Sequence, residues 1–346
     1  MPSDDRAVTL QDIADRLGVS RSTASFAITG RGRVSAEMRR RVLEVADELG
    51  YRPNTVARNL RGARTGMLAL RLPPHSTSMA YYMEAAFGAV EEAAQAGVIV
   101  FLLTTDPEVD SLDRLPADAV IILDPALDDP VTRALLRGRV PVITGEPVPD
   151  GLPAGRGEVT SDHAPAVREL LDHLAERGAR RPAVVFPALR NHWAFTVRDA
   201  IDSWCAEHGI RPRIAEVPHP AEPAEIQAAV AEIVLDDDDE PADAIIAVSD
   251  GTVLSVVTSA QRLGRRVGED LLVASLVDSD VLALAQPSIT AIDLHPREFG
   301  RRCARAALAA IEADADGEPI HEVVPVSVQR RASTLGPATD GAPQDG

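Results

Sequence analysis

The sequence predicts an α/β protein in which a small all-helical head precedes a larger domain of two lobes, each built on a doubly wound parallel sheet. The chain of 346 residues, 45% of them hydrophobic, is longer than one hydrophobic core usually organises. Residues 9–50 carry helical periodicity and helix caps, whereas from Thr65 onward apolar runs alternate with amphipathic stretches. Because that alternation is typical of βαβ units and occurs in two successive series, two parallel sheets are expected.

Charge is distributed unevenly between these two parts. The formal net charge is −18, yet residues 1–66 contain 12 arginines against 8 acidic residues and are net positive. All 35 basic residues of the chain are arginines, whose planar guanidinium binds phosphate bidentately. Binding to nucleic acid depends on where basic residues cluster rather than on the total charge. The head therefore stays a candidate for DNA binding, although the chain as a whole is acidic.

The sequence favours neither catalysis nor metal binding. Cys205 and Cys303 lie far apart without metal-ligand spacing, which favours buried free thiols. The acidic run at 236–240 lacks the glycine and the spacing of a calcium loop and favours a solvated loop. Without a nucleophile elbow, a P-loop or an HExxH helix, neither an enzyme nor a cofactor is predicted. No apolar signal or spanning segment is seen, so a cytoplasmic protein without a membrane partner is expected.

Residues 9–50 predict three short helices. Thr9 and Asp12 have the spacing of a capping box, and Gly18 is placed to end the first helix. Ser20 and Ser35 are placed to cap the second and third helices. Each helix has an apolar face, so the three can enclose a small core. The apolar positions are Ile13, Ala14 and Leu17, then Ala24 and Ile28, then Val42, Val45, Ala46 and Leu49, with Gly50 placed to end the third helix.

The first two helices have the spacing of a helix-turn-helix motif. In that motif the second helix enters the major groove with its first residues against the base edges. Arg21 carries the guanidinium that pairs with guanine. The alternative is a solvated helix face, but the glycine turn, the caps and the local positive charge together favour base reading. The candidate readers are Arg21, Ser22, Ser25 and Phe26.

A short hinge follows the third helix. Asn54 is placed to cap a helix that runs to Leu60 and ends at Gly62. A helix this short is unstable alone in water. It is therefore expected to order on DNA or against the same segment of a second copy of the chain. Taken alone, Leu60 is equally well an ordinary linker residue or an apolar wedge for a minor-groove base step.

Two stretches, VTLQDIADRLGVSRSTAS and VSAEMRRRVLEVADELGYRPNTVARNLR, resemble the amino-terminal signature of the LacI/GalR (lactose-repressor) family, without a gap over residues 8–62. The resemblance implies a transcriptional repressor that binds a pseudo-palindromic operator in double-stranded DNA as a homodimer or a tetramer. It implies the wedge role for Leu60. Phe26 departs from the family, in which a base-reading arginine is usual, so the half-sites are expected to differ. The predicted DNA-binding residues are Leu10, Ser20, Arg21, Ser22, Ser25, Phe26, Thr29, Arg33, Tyr51, Asn54, Ala57, Arg58 and Leu60.

The same resemblance extends more weakly over residues 65–336 and implies a two-lobed, periplasmic-binding-protein-like domain. In such a domain the ligand lies in the cleft at the carboxyl ends of the strands. The expected organisation is a helix-turn-helix domain at 1–50, a hinge helix at 51–63, an effector-binding and dimerisation domain at 64–336 and a disordered tail at 337–346. Lobe one is expected to take 64–160 and 291–320, and lobe two 161–290 and 321–336.

The positions at which family members hold sugars are altered here. By the resemblance, Val197 stands where an arginine is usual and Val277 where an aspartate is usual. A hydroxyl left unpaired in a buried site costs about 1–3 kcal/mol, so the sequence predicts a small-molecule effector with fewer hydroxyl groups than a hexose, or none. The predicted ligand-binding residues are Tyr81, Arg198, Ser249, Asp250 and Asp278, with Tyr82 as the alternative to Tyr81. The rival interpretations are a two-lobed solute-binding protein and an enzyme on the same scaffold.

Overall fold

The computed structural model describes residues 8–29, 34–51, 64–74, 80–103, 112, 114–235, 241–248, 250–313 and 317–336. Contacts divide the chain into two compact units, Met1–Arg64 and Thr65–Gly346. We call the first unit the head and the second unit the body.

The head is built from helices around one small core. Helix α1 spans Leu10–Leu17, α2 spans Arg21–Thr29 and α3 spans Ala36–Glu48. Each helix turns an apolar face inward, which confirms the predicted periodicity. The buried core residues are Ile13, Ala14, Ala24, Ala27, Val42 and Ala46, and Leu17, Ile28, Val45 and Leu49 pack at its edge.

The predicted caps of the head helices are confirmed. Thr9 and Asp12 form a complete capping box, in which the Asp12 carboxylate accepts from the backbone N–H of Thr9 at 2.7 Å. Ser35 accepts from the backbone N–H of Met38 at the start of α3. The glycines after α1 and α3, Gly18 and Gly50, both have positive φ, a conformation in which a side chain would be strained.

The first lobe of the body is a six-stranded parallel sheet covered on both faces. Its strands are β1 Met67–Arg71, β2 Ile99–Leu103, β3 Ala119–Leu123, β4 Val142–Gly145, β5 Gly157–Ser161 and β11 Ile320–Val324, in the order β11-β5-β4-β3-β1-β2. Helices α4 Ala80–Gln95 and α11 Pro296–Glu312 pack on one face. Helix α5, Pro130–Arg137, covers the other face with Val131 and Leu135.

The second lobe repeats the strand order of the first, again with helices on both faces. Its strands are β6 Pro182–Pro187, β7 Arg213–Val217, β8 Ala244–Ala247, β9 Leu272–Ser275, β10 Thr290–Asp293 and β12 Ser327–Gln329, in the order β12-β10-β9-β8-β6-β7. Its helices are α6 His163–Glu176, α7 His192–Glu207, α8 Pro223–Leu235, α9 Asp250–Arg262, α10 Asp280–Leu284 and α12 Ala332–Leu335. All ladder pairs are parallel except β10 with β12. The predicted pair of doubly wound lobes is thus observed.

The chain crosses between the lobes at positions that differ from those predicted. Strand β10 pairs with β9 in the second lobe, although the sequence assigns 291–320 to lobe one. Strand β11 pairs with β5 from Ile320 to Val324, although the sequence assigns 321–336 to lobe two. The reason for the second difference lies in EVVPVSVQR, a single apolar run in the sequence. Pro325 has no N–H to extend the ladder, and the run divides there into one strand for each lobe.

Close packing of α4 against α11 rests on two glycines. A Cβ atom on Gly88 would overlap the carbonyl group of Arg297, and one on Gly300 would overlap that of Ala85. The two helices therefore approach backbone to backbone at these positions. Cys303 on α11 and Cys205 on α7 are buried free thiols, as predicted.

Candidate functional site

Helix α2 in the head presents a polar face opposite its core face. Ala24 and Ala27 are fully buried. Arg21 and Ser22 are exposed at the first turn, and Phe26 is 46% exposed one turn later. An aromatic ring and a guanidinium thus stand on the side of the helix that faces away from the core. This is the surface that the sequence predicts to read DNA.

Three other predicted DNA contacts have structural roles in the head. The Ser20 hydroxyl accepts from the backbone N–H of Thr23 at 3.0 Å and so caps α2, as predicted, and it lies 2.7 Å from the Ser22 hydroxyl. Leu10 and Tyr51 pack against the head core. Ser25 is half-buried on α2. Residues Arg33, Asn54, Ala57, Arg58 and Leu60, and the side chain of Thr29, lie outside the described residues.

The body contains a cavity of about 310 Å³ between the two sheets. Its walls come from the segments that follow the carboxyl ends of strands in both lobes, which is where ligands bind in open α/β sheets. The first lobe contributes Pro73, Pro74, Tyr81, Tyr82, Asp124, Ala126, Asp128 and Glu146. His163 lines the cavity from the start of α6. The second lobe contributes Val185, Pro187, Ala188, Leu189, Arg190, Asn191, Trp193, Val217, Pro218, His219, Ala221, Val248, Thr252, Val277 and Leu294.

Two carboxylates stand side by side in the first-lobe wall. Asp124 directly follows β3 and Glu146 directly follows β4, and these strands are neighbours in the sheet. Both residues have positive φ, +46° and +79°, a conformation that is uncommon for residues other than glycine. Such strain persists when the surrounding structure holds it, and it is concentrated at functional sites.

Glu146 is fully buried and held by three donors. Its Oε1 accepts from the backbone N–H of Ser161 at 3.1 Å and lies 3.0 Å from His163 Nε2. Its Oε2 accepts from the Thr160 hydroxyl at 3.0 Å. A buried carboxylate requires such partners, because an unpaired charge in the protein interior is costly.

Asp124 is less completely held. Its Oδ2 accepts from the Tyr82 hydroxyl at 2.8 Å, and its Oδ1 accepts from the Asn191 amide at a longer 3.4 Å. Burial, together with the nearby negative charge of Glu146, raises the pKa of Asp124 from 3.8 to about 7. The same burial raises the pKa values of Tyr81 and Tyr82 well above their ordinary value, so both phenols stay neutral.

The lobes also contact each other directly at the cavity. Ala126 of the first lobe forms a β-bridge with Asn191 of the second. Asn191 in addition caps α7, since its side-chain oxygen accepts from the backbone N–H of Ala194 at 3.0 Å. One residue therefore connects the Asp124 wall to a helix of the opposite lobe.

The structure brings together only some of the predicted ligand residues. Tyr81 and Tyr82 line the cavity. Arg198 is absent from the lining, and its guanidinium forms ion pairs with Asp202 and Glu216, each at 3.3 Å.

Asp278 is absent from the lining as well, and its carboxylate is paired with Arg331 at 2.6 Å. Of the two valines that replace charged family residues, Val277 lines the cavity, and Val197 is buried in the core and does not. Ser249 and the side chain of Asp250 lie outside the described residues.

Sequence reasoning missed the polar residues of the first-lobe wall. Asp124 ends the run DAVIILD, and Glu146 follows VPVITG, so each directly follows an apolar strand. That position was the available signal, because the carboxyl ends of parallel strands meet at one edge of the sheet. His163 and Asn191 also follow strands, β5 and β6, so the same signal could have found them.

Known protein families match part of each of the two units of the chain. Residues 9–54 match the model of bacterial regulatory proteins of the lacI family, and residues 171–334 match the periplasmic binding protein-like domain. The catabolite control protein A of Staphylococcus epidermidis is 25% identical over 292 residues, covering 82% of this chain and 87% of that protein. The protein of the same name from Priestia megaterium is 26% identical over 297 residues, with the same coverage.

Solved structures match over nearly the whole chain. The transcriptional regulator CelR in complex with cellobiose has a TM-score of 0.70 at 25% identity, covering 94% of this chain and 99% of that one. The lac repressor dimer bound to operator and the anti-inducer ONPF has a TM-score of 0.74 at 22% identity, covering 95% and 100%. At 22% identity, the likeness to the lac repressor shows a shared fold alone.

A helix-turn-helix head joined to a two-lobed domain with an internal ligand cavity defines a DNA-binding transcription regulator with an effector-binding domain. Over residues 9–54 the chain carries the domain of the lacI family of bacterial regulatory proteins. The rival interpretation as an enzyme is thereby set aside, because the matching proteins are regulators. Among the described residues, no helix is long and apolar enough to cross a membrane.

Proposed function

We propose that this protein is a repressor that binds a pseudo-palindromic operator as a homodimer, and that a small molecule in the inter-lobe cavity controls this binding. The observation that carries the proposal is the cavity itself. Its walls come from both lobes, and its polar side includes the inter-lobe contact between Asn191 and Asp124. A ligand there touches both lobes and therefore favours one arrangement of them over another.

Exposed apolar side chains on the body support the homodimer. Phe87 and Val90 on α4 are 48% and 44% exposed, and Ile99 on the edge strand β2 is 64% exposed. In the second lobe, Leu284 on α10 is 83% exposed. Such residues on an edge strand and on a helix of each lobe are typical of an interface that pairs with an identical surface. The lac repressor fold neighbour is described as a dimer bound to operator.

The dimer is tested by two matched substitutions at opposite edges of the first sheet. Ile99→Asp on β2 is expected to shift the protein from dimer to monomer in analytical ultracentrifugation, because it places a charge in the proposed interface. Val323→Asp on β11, which is 57% exposed at the other edge, is expected to leave the dimer intact. A dimer that survives Ile99→Asp and Phe87→Asp together contradicts this interface.

Operator binding is tested with DNA footprinted upstream of the protein's own gene. Fluorescence anisotropy is expected to give a Kd that weakens with salt, with a log–log slope of about −0.9 for each phosphate neutralised. A half-site bound as tightly as the full palindrome, or a flat salt profile, contradicts dimeric operator binding.

Base reading by α2 is tested by Arg21→Ala. The exposed guanidinium at the first turn of α2 is expected to contribute about 1–3 kcal/mol of discrimination at one base position, so the variant loses preference there. Arg40→Ala is the matched control, because Arg40 on α3 is exposed but paired with Glu37 and Glu44. Equal losses of sequence preference in both variants contradict the role of Arg21.

The effector is proposed to have fewer hydroxyl groups than a hexose. The second-lobe wall is largely apolar, and Val248 and Val277 offer no hydrogen bonds from their side chains. Calorimetry against common mono- and disaccharides is expected to show no micromolar binding. Such binding by a simple hexose contradicts this part of the proposal.

A further inference from the structure

The charged groups around the cavity are mainly negative. Asp124, Asp128 and Glu146 are the carboxylates of its lining, and Arg190 is its guanidinium. Arg190 and Asp128 are exposed, whereas Glu146 is buried. The less exposed part of the lining therefore carries two neighbouring carboxylates, one of them paired with His163, and an anionic ligand would face both.

The two interior carboxylates differ in what they have left to offer a ligand. Both oxygens of Glu146 are used by Thr160, Ser161 and His163. Asp124 receives one short hydrogen bond, from Tyr82, and one long one, from Asn191. A carboxylate has about four acceptor positions, so Asp124 keeps capacity for a further donor.

Aromatic and apolar surface surrounds this acceptor. Tyr81 contacts Tyr82 edge to face, with ring centroids 5.1 Å apart. In the second lobe Trp193 stacks on Phe186 at 5.9 Å, with the rings within 3° of parallel, and is thereby fixed at the cavity wall. Rigid aromatic faces suit the apolar body of a ligand and attract a cation near the ring.

We propose that the effector is an organic amine, whose protonated nitrogen binds the Asp124 carboxylate while its apolar or aromatic body lies against Tyr81 and Trp193. This inference rests on the proposed role of the cavity as the effector site. The positive charge offsets the repulsion between Asp124 and Glu146, a gain that a neutral ligand of equal size does not provide. The volume of about 310 Å³ is at the lower end of ligand pockets, so a small monoamine is expected.

The test compares amines with alcohols of the same shape. Tryptamine and phenethylamine are titrated into the full-length protein by calorimetry, beside tryptophol and phenethyl alcohol. At least one amine is expected to bind about tenfold or more tighter than its alcohol at about pH 8, where Asp124 is ionised. The proposal is overturned if no amine in the set exceeds its matched alcohol.

Two substitutions test whether Asp124 is the carboxylate that binds the amine. Asp124→Asn is expected to remove the preference for the amine, whereas Asp150→Asn, at an exposed turn outside the lining, is expected to keep it. Circular dichroism and thermal melts establish that both variants are folded. An amine that binds Asp124→Asn as tightly as the unmodified protein overturns the assignment of Asp124.

The proposal that the ligand is an amine and the proposal that the cavity is the effector site are contradicted by different results. A neutral or anionic compound that binds, is lost in Trp193→Ala and alters operator affinity would overturn the amine while leaving the cavity as the effector site. An amine that binds through Asp124 without altering operator affinity would support the recognition chemistry and contradict effector control.

Discussion

The two lobes share one strand order but give the cavity chemically different walls. After β3 and β4 of the first lobe come Asp124 and Glu146, whereas after β8 and β9 of the second lobe the lining residues are Val248 and Val277. The sheets that carry them have the same strand order, and the walls differ in the residues that follow the strands. The duplication of a fold thus leaves the ligand chemistry open, and each lobe contributes a separate part of it.

The largest expected effect comes from removing the buried anion of the first lobe. Glu146→Ala leaves the Ser161 N–H, the Thr160 hydroxyl and His163 without their acceptor, and is expected to reduce the free energy of unfolding by about 3 kcal/mol. Relief of repulsion on Asp124 offsets part of this loss. Chemical denaturation measures the change, with Glu146→Gln as the milder control that retains one acceptor oxygen. Equal stability of Glu146→Ala and the unmodified protein would show that the network contributes nothing.

A smaller effect of opposite sign is expected at Asp124. Because its pKa is raised from 3.8 to about 7, the folded state holds a proton that the unfolded chain releases. The contribution of Asp124 to stability is therefore most favourable below about pH 4, falls as the pH rises to 7, and stays unfavourable above it. Asp124→Asn removes that penalty and is expected to be more stable than the unmodified protein by roughly 2 kcal/mol at pH 8. This is about half of the free energy that the full pKa shift corresponds to, because the side chain of Asp124 is only partly buried.

The pH dependence of that difference is the discriminating measurement. Urea unfolding of both proteins in the absence of ligand is expected to give a gap that is wide at pH 8 and closes towards pH 4. A gap of constant size across this range would mean that packing, rather than ionisation, distinguishes the two side chains.

The sequence predicted what depends on neighbouring residues and missed what depends on pairing across the chain. The capping box of Thr9 and Asp12 and the turn at Gly18 are local, and both are confirmed. Asp278 was predicted as a ligand residue, but its carboxylate is paired with Arg331, which lies 53 residues away in sequence. The cavity carboxylates come together only because β3 and β4 pair side by side.

Arg198 illustrates the same limit on a single helix. Its i,i+4 neighbour Asp202 was visible in the sequence, but Glu216, at the end of β7, was not predictable as a partner. The last crossing point between the lobes depends on whether EVVPVSVQR forms one strand or two. Strand propensity alone does not settle that question, since the valines on both sides of Pro325 favour strands.

The smallest expected effect is in the second-lobe wall, at Val277. Val277→Asn changes an apolar side chain of similar size into a polar one at a partly buried position, without adding charge. If the second lobe contributes apolar contact, the variant should bind aromatic amines and their matched alcohols several-fold more weakly, a loss of about 1 kcal/mol for each. The preference for amine over alcohol should stay unchanged, because that preference belongs to Asp124 in the first lobe. Calorimetry with tryptamine and tryptophol on the same preparations measures both quantities. A variant that loses the preference while keeping its affinity for the alcohol would show that the two walls do not act separately.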